Sequence, residues 1–509
     1  MTAGRTEFEL KFAGSPADVS ALQRSDFIAA IAPTGVWERL SSTYYDTPDG
    51  RLAAQGLSIR IREEGGSRVQ AVKTQGSAVI SRSEFECSVD DTQGFPALTG
   101  VGAIDDMLSA AAPELAPVAL IYVDRWAAEI TFRETRIELA IDLGRAQACD
   151  DQGHQHAQPL AEVELELIEG DPSRVFDFAK LLIANAPLRF CARTKLQTAL
   201  CADGSRSGAS QAPRTEMNAE ASTADLLQES LNILAAQMAE LQPRIIDLRP
   251  AEDVRQMRVA LRRLRSIERV FRRYLKTSEI ADLAMQAKYF AKRLGPARDW
   301  DVFMAETLPV TKGVESLREG ARIIQSNAYK RRAECWADAV ETLSSKEFTI
   351  FLIHLARAGT LADWRCAMKN DMAKPAAALA PEILDRALRK TRKAATQTRF
   401  TGDLTSRHPL RLAIKKLRYP IQLFRYLYPK SDRKPYMSTL SALQNAFGAV
   451  NDGVTAQVLA DEAAISGNAN VQRAAGFIAG YKTAQARSAA ESVDELWKDF
   501  ENLKPFWQK

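Results

Sequence analysis

The chain has 509 residues, 46% apolar and 26% charged, which excludes a disordered or fibrous polypeptide and is more than one ordinary core organises. Its net charge of +4 conceals an asymmetry: residues 1–200 hold 19 Lys and Arg against 29 Asp and Glu, leaving 49 against 35 in the remainder. The two parts stand near −10 and +14, as expected of two modules with different ligands. No run approaches 18 apolar residues, and Glu7 and Glu9 arrive before a signal-peptide core can form, so a soluble intracellular protein is expected. The six cysteines (Cys87, Cys149, Cys191, Cys201, Cys335, Cys366) lack paired short spacings and indicate neither a zinc site nor a disulfide framework. His154 and His156 read as members of a solvated loop rather than a metal pinch.

Residues 1–200 alternate with period two in "EFELKF", "LSIRIR", "RVQAVK", "SRSEFECSV", "AAEITF", "TRIELAID" and "AEVELELI". Seven or eight strands separated by turns such as "TPDG" predict a mainly antiparallel β domain, closed as a barrel or tunnel and decorated by two or three short helices. Residues 201–222, "CADGSRSGASQAPRTEMNAEAS", lack periodicity and read as a linker. From 223 to 509 the pattern is helical and duplicated. "VRQMRVALRRLRSIERVFRRYL" from Val254 recurs 153 positions later as "RHPLRLAIKKLRYPIQLFRYLY", and the same offset carries "LGPARDWD" onto "FGAVNDGV". Two antiparallel bundles are predicted, at about 223–370 and 376–509, giving an α+β multidomain chain.

Each predicted strand has an apolar and a charged face. Glu7, Glu9 and Lys11 lie opposite Phe8, Leu10 and Phe12; Arg60 and Arg62 opposite Ile59 and Ile61; Arg82, Glu84 and Glu86 opposite Phe85. Glu138 and Asp142 lie opposite Ile137, Leu139 and Ile141, and Glu162, Glu164 and Glu166 opposite Val163, Leu165 and Leu167. Rows of acids and bases turned into a barrel are costly unless they answer one another or a charged ligand. Carboxylates suit hard divalent cations, and Arg and Lys suit phosphoryl oxygens, so a polyphosphate with a metal fits both.

"EFELK" at residues 7–11 matches the ExExK signature of CYTH domains, the triphosphate tunnel metalloenzymes. "STYYDTPDGRLAAQGLSIRIRE", "AVKT", "SRSEFEC", "ELAIDLG" and "AEVELEL" follow in that family's order, so residues 5–200 resemble it. The resemblance implies an eight-stranded tunnel that hydrolyses or rearranges a triphosphate with Mg²⁺ or Mn²⁺. It implies Glu7, Glu9, Asp142, Glu162 and Glu164 as metal ligands, and Lys11, Arg60, Arg62, Lys73, Arg82, Arg125 and Lys195 as substrate contacts. Lys11, Glu84 and Glu86 are the expected catalytic groups.

In the helical part, Arg255, Arg258, Arg262, Arg265, Arg269 and Arg272 advance by three and four, which lays them along one side of a helix beside an apolar stripe of Val254, Met257, Leu261, Leu264 and Phe271. His408, Arg411, Lys415, Arg418 and Arg425 repeat the pattern beside Leu410, Ile414, Leu417, Ile421 and Phe424. Glu268 is the sole acid between Arg255 and Arg273, so a polyanion ligand explains the stripe better than solvation does. Sparse aromatic residues disfavour nucleic acid. Asp299 and Asp301 read as a helix cap or local partners of Arg298.

"VRQMRVALRRLRS", "LGPARDWDVF", "HPLRLAIKKLRY" and "FGAVNDG" resemble a CHAD domain, with Arg255 standing where His is usual. The resemblance implies a basic cleft for inorganic polyphosphate, formed by the stripe residues together with Arg263, Lys288, Arg298 and Lys416 and extended by Lys292 and Arg293. The reading is therefore a cytoplasmic inorganic triphosphatase docking on polyphosphate granules. Thiamine triphosphatase, class IV-type adenylate cyclase and a non-catalytic polyphosphate sensor are the alternatives.

Overall fold

The computed structural model describes the chain except residues 1–4, 65, 75–79, 90–94, 150–154, 201–219, 277–278, 399–407, 466–467 and 509. Packing divides the chain into two compact units. The first comprises Met1–Thr215, Gln228–Pro243 and Ser344–Asp363; the second comprises Glu216–Leu227, Arg244–Leu343 and Trp364–Lys509. Among the described residues no helix is long and apolar enough to cross a membrane.

The strand-rich unit runs β1 (Arg5–Ala13), α1 (Pro16–Gln23), α2 (Asp26–Ile31), β2 (Val36–Asp46), α3 (Arg51–Ala54), β3 (Leu57–Glu64), β4 (Ser67–Thr74), β5 (Ser81–Ser88) and α4 (Gly102–Ala111). It continues with β6 (Ala116–Phe132), β7 (Thr135–Cys149), β8 (Gln155–Glu169), α5 (Pro172–Asn185), β9 (Arg189–Phe190) and α6 (Lys195–Leu200). The strand order is β5-β4-β3-β2-β6-β7-β8-β1, and β1 pairs again with β5, so eight antiparallel strands close on themselves. The two-residue β9 adds to the far end of β1. Among the described residues six α-helices decorate the strands, more than the periodicity suggested, because α1 to α4 are too short to show a helical repeat.

The apolar faces of these strands point outward, onto the helices. Leu57, Ile59 and Val72 pack with Ile104, Leu108 and Ala111 of α4. Phe8 meets Phe176 of α5 edge-on at 5.9 Å, and Phe132 meets Phe178 at 5.5 Å. Strand alternation then sends the charged faces inward. One end of the interior is apolar: Leu40, Tyr44, Ala119, Ile121, Val123, Ala146 and Leu160 share the parity of the charged rows, and Leu196 and Ala199 of α6 pack among them. The helix α6 thus plugs that end and confines the charges to the rest of the barrel.

Further helices are α7 (Thr223–Leu248), α8 (Ala251–Phe271), α9 (Glu279–Arg293), α10 (Gly295–Val302), α11 (Arg318–Ser344) and α12 (Lys346–Thr360). They are followed by α13 (Ala376–Thr398), α14 (His408–Leu423), α15 (Lys430–Ala463), α16 (Ala469–Glu491) and α17 (Val493–Asn502). Within the first unit α12 lies on α5, with Lys346 Nζ donating to the Ala184 carbonyl at 2.7 Å and Thr349 Oγ1 to that of Leu188 at 3.3 Å. In the second unit the duplicated segments form α8 and α14, which pack on each other. Both expected apolar stripes are buried, and Val254, Met257, Leu261, Leu264, Ile414, Leu417 and Phe424 are fully so.

Candidate active site

Register sets the charge pattern inside the barrel. Arg125 on β6 stands opposite Asp142 on β7, Asp142 opposite Glu162 on β8, and Glu164 opposite Lys11 on β1. On the other wall Lys73 of β4 stands opposite Glu84 of β5. Arg125, Lys11 and Lys73 therefore each meet a carboxylate on a neighbouring strand, while Arg60 and Arg62 of β3 reach past β4 to Glu84 and Glu86 of β5.

The first cluster centres on Asp142, Glu162 and Glu164, whose ligand oxygens lie within 4.8 Å of one another. Asp142 is fully buried and Glu162 is 3% exposed. Arg125 donates from Nε and Nη2 to the two Asp142 oxygens at 2.7 Å and from Nη2 to Glu164 at 2.5 Å. Lys195, first residue of the plug helix, lies 2.5 Å from Glu164, 2.9 Å from Asp142 and 3.4 Å from Glu162. Lys11 lies 3.0 Å from Glu164, 3.4 Å from Glu162 and 3.8 Å from Glu9. Burial alone would neutralise these groups, but the opposite charges win. Lys195, Lys11 and Arg125 hold the Glu164 carboxyl well below its usual range, and Lys195 and Arg125 lower Asp142. Against the same burial, Glu162, Glu164 and Glu9 raise the Lys11 ammonium, and Asp142 and Glu164 raise Lys195.

The second cluster joins Glu7, Glu84, Glu86, Lys73, Arg60 and Arg62. Lys73 bridges Glu7 and Glu84, 2.9 Å from each. Arg60 lies 3.2 Å from Glu84 and 3.9 Å from Glu86, and Arg62 lies 3.8 Å from Glu86. Glu7 and Glu84 are hydrogen-bonded to each other, so one carries the proton. Burial, then that bond, pushes Glu7 up to about 8. Against its own burial, the bond from Glu7 and the charges of Lys73 and Arg60 bring Glu84 down to about 2.

Inside the barrel Glu162 Oε2 is held only by Lys11 and Lys195, each at 3.4 Å, and among the described residues buried Arg60 Nε has no hydrogen-bond partner. A carboxylate oxygen with only long contacts and an unfilled guanidinium donor suit a cation and an anion. The donor set of Asp142, Glu162 and Glu164 is all carboxylate, which fits Mg²⁺ or Mn²⁺.

The barrel brings together Glu7, Glu9, Lys11, Arg60, Arg62, Lys73, Glu84, Glu86, Arg125, Asp142, Glu162, Glu164 and Lys195. The Arg82 side chain lies outside the described residues; its backbone pairs with Glu7. His154 lies outside them too, as does the His156 side chain. Sequence reading passed over Ile80, Phe190, Cys191 and Arg193, which line one cleft with Glu7, Glu9 and Lys11. Burial first, then Glu162, pushes the Cys191 thiol up to about 11, so it stays protonated.

On the helical face the balance reverses. Burial lowers Arg258, Arg263, Arg265, Arg411 and Lys415, and neighbouring cations add to it in four of the five. Lys415 is lowered by Arg411 and by Arg262, Arg263 by Arg425, and Arg265 by Arg269 and Arg262, so the stripes of α8 and α14 form one basic surface. Buried Arg411 Nε and Arg418 Nε have no hydrogen-bond partner, although Arg418 donates to Gln444 through its terminal nitrogen. Each repeat sets one acid into this surface: Asp299 against Arg258 and Arg298, and Asp452 against Arg411 and Lys415, both raised by burial. Arg255 is held by Glu252 through two hydrogen bonds of 2.6 and 2.7 Å. Arg269, Lys288, Lys416 and Arg425 are exposed, Arg298 is half-buried, and the His408 side chain lies outside the described residues.

The cap reading of Asp299 and Asp301 is corrected: both lie inside α10, whose N-cap is Leu294. Asp301 instead accepts from Arg332 Nε at 2.7 Å and Trp336 Nε1 at 3.1 Å, a structural tie.

Residues 5–200 match the model of the CYTH domain, and residues 229–461 that of the CHAD domain. The chain joins a CYTH domain to a CHAD domain. An inorganic triphosphatase of Haemophilus influenzae is 30% identical over 161 residues, 31% of this chain and 44% of that relative, so the match spans less than half of the relative's length. Among solved structures, the CHAD domain from the plant Ricinus communis is 26% identical, with a TM-score of 0.48, covering 57% of this chain and 94% of its own. A Hippeastrum protein with a dominant triphosphatase activity is 16% identical, with a TM-score of 0.28, covering 38% and 95%.

Proposed function

We propose that the CYTH domain hydrolyses inorganic triphosphate to diphosphate and phosphate with Mg²⁺ or Mn²⁺, and that the CHAD domain binds inorganic polyphosphate. The observation that carries the first part is the buried carboxylate triad Asp142, Glu162 and Glu164, ringed by Lys11, Arg125 and Lys195. Those carboxylates, with Glu7 and Glu9, would hold the metal, which supplies positive charge for the phosphoryl oxygens and acidifies a bound water.

The chain's own residues set the rest. Arg60, Arg62 and Lys73 on one wall, and Lys11, Arg125 and Lys195 on the other, stabilise the oxygens of a linear triphosphate as charge shifts toward the leaving diphosphate. Lys11 and Lys195, raised by their carboxylates, stay charged and act electrostatically rather than as proton donors. Glu84, ionised down to about 2, keeps Lys73 and Arg60 aligned. Glu7, raised to about 8 beside Glu84, must release its proton to take a cation. Water forms the new bond to a terminal phosphorus and gives up a proton to the surrounding solvent, the bridging P–O bond breaks, and diphosphate leaves with those electrons.

Phosphate release from tripolyphosphate by the full chain, with Mg²⁺ or Mn²⁺ and then EDTA, tests this reading. Metal-dependent release supports it. Faster turnover of thiamine triphosphate, or cyclisation of ATP, would replace inorganic triphosphate as the substrate; binding without turnover of any of them would make the barrel a sensor.

A further inference from the structure

Six described cations of the barrel are each answered by a carboxylate, but Arg193 is not. Lys11, Arg60, Arg62, Lys73, Arg125 and Lys195 each have a carboxylate oxygen within 4.0 Å. Half-buried Arg193 lines the same cleft as Glu7, Glu9 and Lys11, and among the described residues its guanidinium has no carboxylate partner.

Its backbone is fixed from both sides. On the N-terminal side Phe190 pairs with Phe12 of β1, the Cys191 N–H donates to the Lys11 carbonyl at 2.8 Å, and the Cys191 thiol points at the Arg193 carbonyl at 3.7 Å. On the C-terminal side Thr194 N–H donates to Gln197 Oε1 at 2.9 Å while Gln197 N–H donates to Thr194 Oγ1 at 3.1 Å, a reciprocal lock at the start of α6. Two residues on, Lys195 is spent on Asp142 and Glu164. A guanidinium on a fixed stem, facing a cleft and paired to nothing, is preorganised for an oxyanion, and its fork suits two oxygens of one phosphoryl group.

Resting on the triphosphatase reading, we propose that Arg193 is a further substrate contact that receives a phosphoryl group of the triphosphate in the cleft beside Lys11. Because its charge is not needed to balance the buried acids, it contributes to substrate affinity and little to folding.

Steady-state kinetics of the full chain with tripolyphosphate and Mg²⁺ test this in wild type, Arg193→Gln and Arg193→Lys, with melting temperatures alongside. The expected result is a KM raised about tenfold or more in Arg193→Gln, largely restored in Arg193→Lys, with all three melting together. An unchanged KM in Arg193→Gln, or equal losses in both variants accompanied by a lower melting temperature, would overturn the assignment in favour of no role or a structural one. A wild-type chain that hydrolyses nothing would overturn the triphosphatase reading itself, and this inference with it.

Discussion

The barrel interior and the helical face are both lined with Lys and Arg, yet they solve the cost of clustered charge in opposite ways. In the barrel, carboxylates answer Lys11, Lys195, Arg60 and Arg125, and all four are raised in pKa against their burial. On α8 and α14 the cations face one another, and Arg258, Arg263, Arg265, Arg411 and Lys415 are lowered. The lesson is that the same residue types make two kinds of anion receptor. One is a largely buried, internally neutralised site whose charges are held in place by one another. The other is a surface of mutually repelling cations, which suits the long polyanion proposed for it.

The comparison is broken most severely by removing an acid from the barrel. Glu162→Gln is expected to cut triphosphate hydrolysis by roughly 10³-fold, since Glu162 is one of the three clustered carboxylates and its Oε2 has only the 3.4 Å contacts of Lys11 and Lys195. Retained turnover with unchanged metal dependence, read by phosphate release, would break it.

Stability sharpens the contrast. Lys195→Met leaves buried Asp142 to Arg125 alone and Glu164 to Arg125 and Lys11, and should cost ~3 kcal/mol. Lys415→Met relieves repulsion from Arg411 and Arg262 and should leave stability within ~0.5 kcal/mol or raise it. Denaturant unfolding of both variants gives the two numbers.

Binding follows. The double variant Arg262→Gln/Lys415→Gln should weaken long-chain polyphosphate roughly 10- to 100-fold, and the salt dependence of what remains should flatten, as expected for fewer released counterions. Titration calorimetry at two salt concentrations measures both.

The smallest effect concerns the shared proton. With its folded pKa raised from 4.5 to about 8, Glu7 holds a proton that the unfolded chain releases, so its contribution falls as pH rises through that window. Glu84, brought down to about 2, contributes in the opposite sense: its stabilisation is full above 4.5 and is lost as pH falls toward 2. In EDTA, Glu7→Gln should therefore melt with wild type near pH 5 and roughly 2–5 °C above it near pH 9.

Much of this was legible because charge and hydrophobicity alternate with strand period. "EFELK", "LSIRIR" and "AEVELELI" each announce a charged face, and the structure turns those faces inward because helices cover the apolar ones. The 153-residue offset likewise placed the two arginine stripes and their buried flanks. What stayed hidden depends on contacts between distant segments. Periodicity gives no register, so it cannot show that Arg125 grips both Asp142 and Glu164, or that Glu7 and Glu84 share a proton. An amphipathic helix does not say which core it joins, and residues 228–243 and 344–363 fall with the strands. Cys191 and Arg193 sit in the short irregular stretch between β9 and α6, too short for any period, although a second base beside Lys195 was a usable signal.

The most direct test of two independent receptors is to assay Glu162→Gln and Arg262→Gln/Lys415→Gln side by side in the full chain, measuring triphosphate hydrolysis and long-chain polyphosphate binding for each. The account predicts that the first loses hydrolysis and keeps binding, while the second keeps hydrolysis and loses binding. Loss of both activities in both variants, with folding intact, would contradict it.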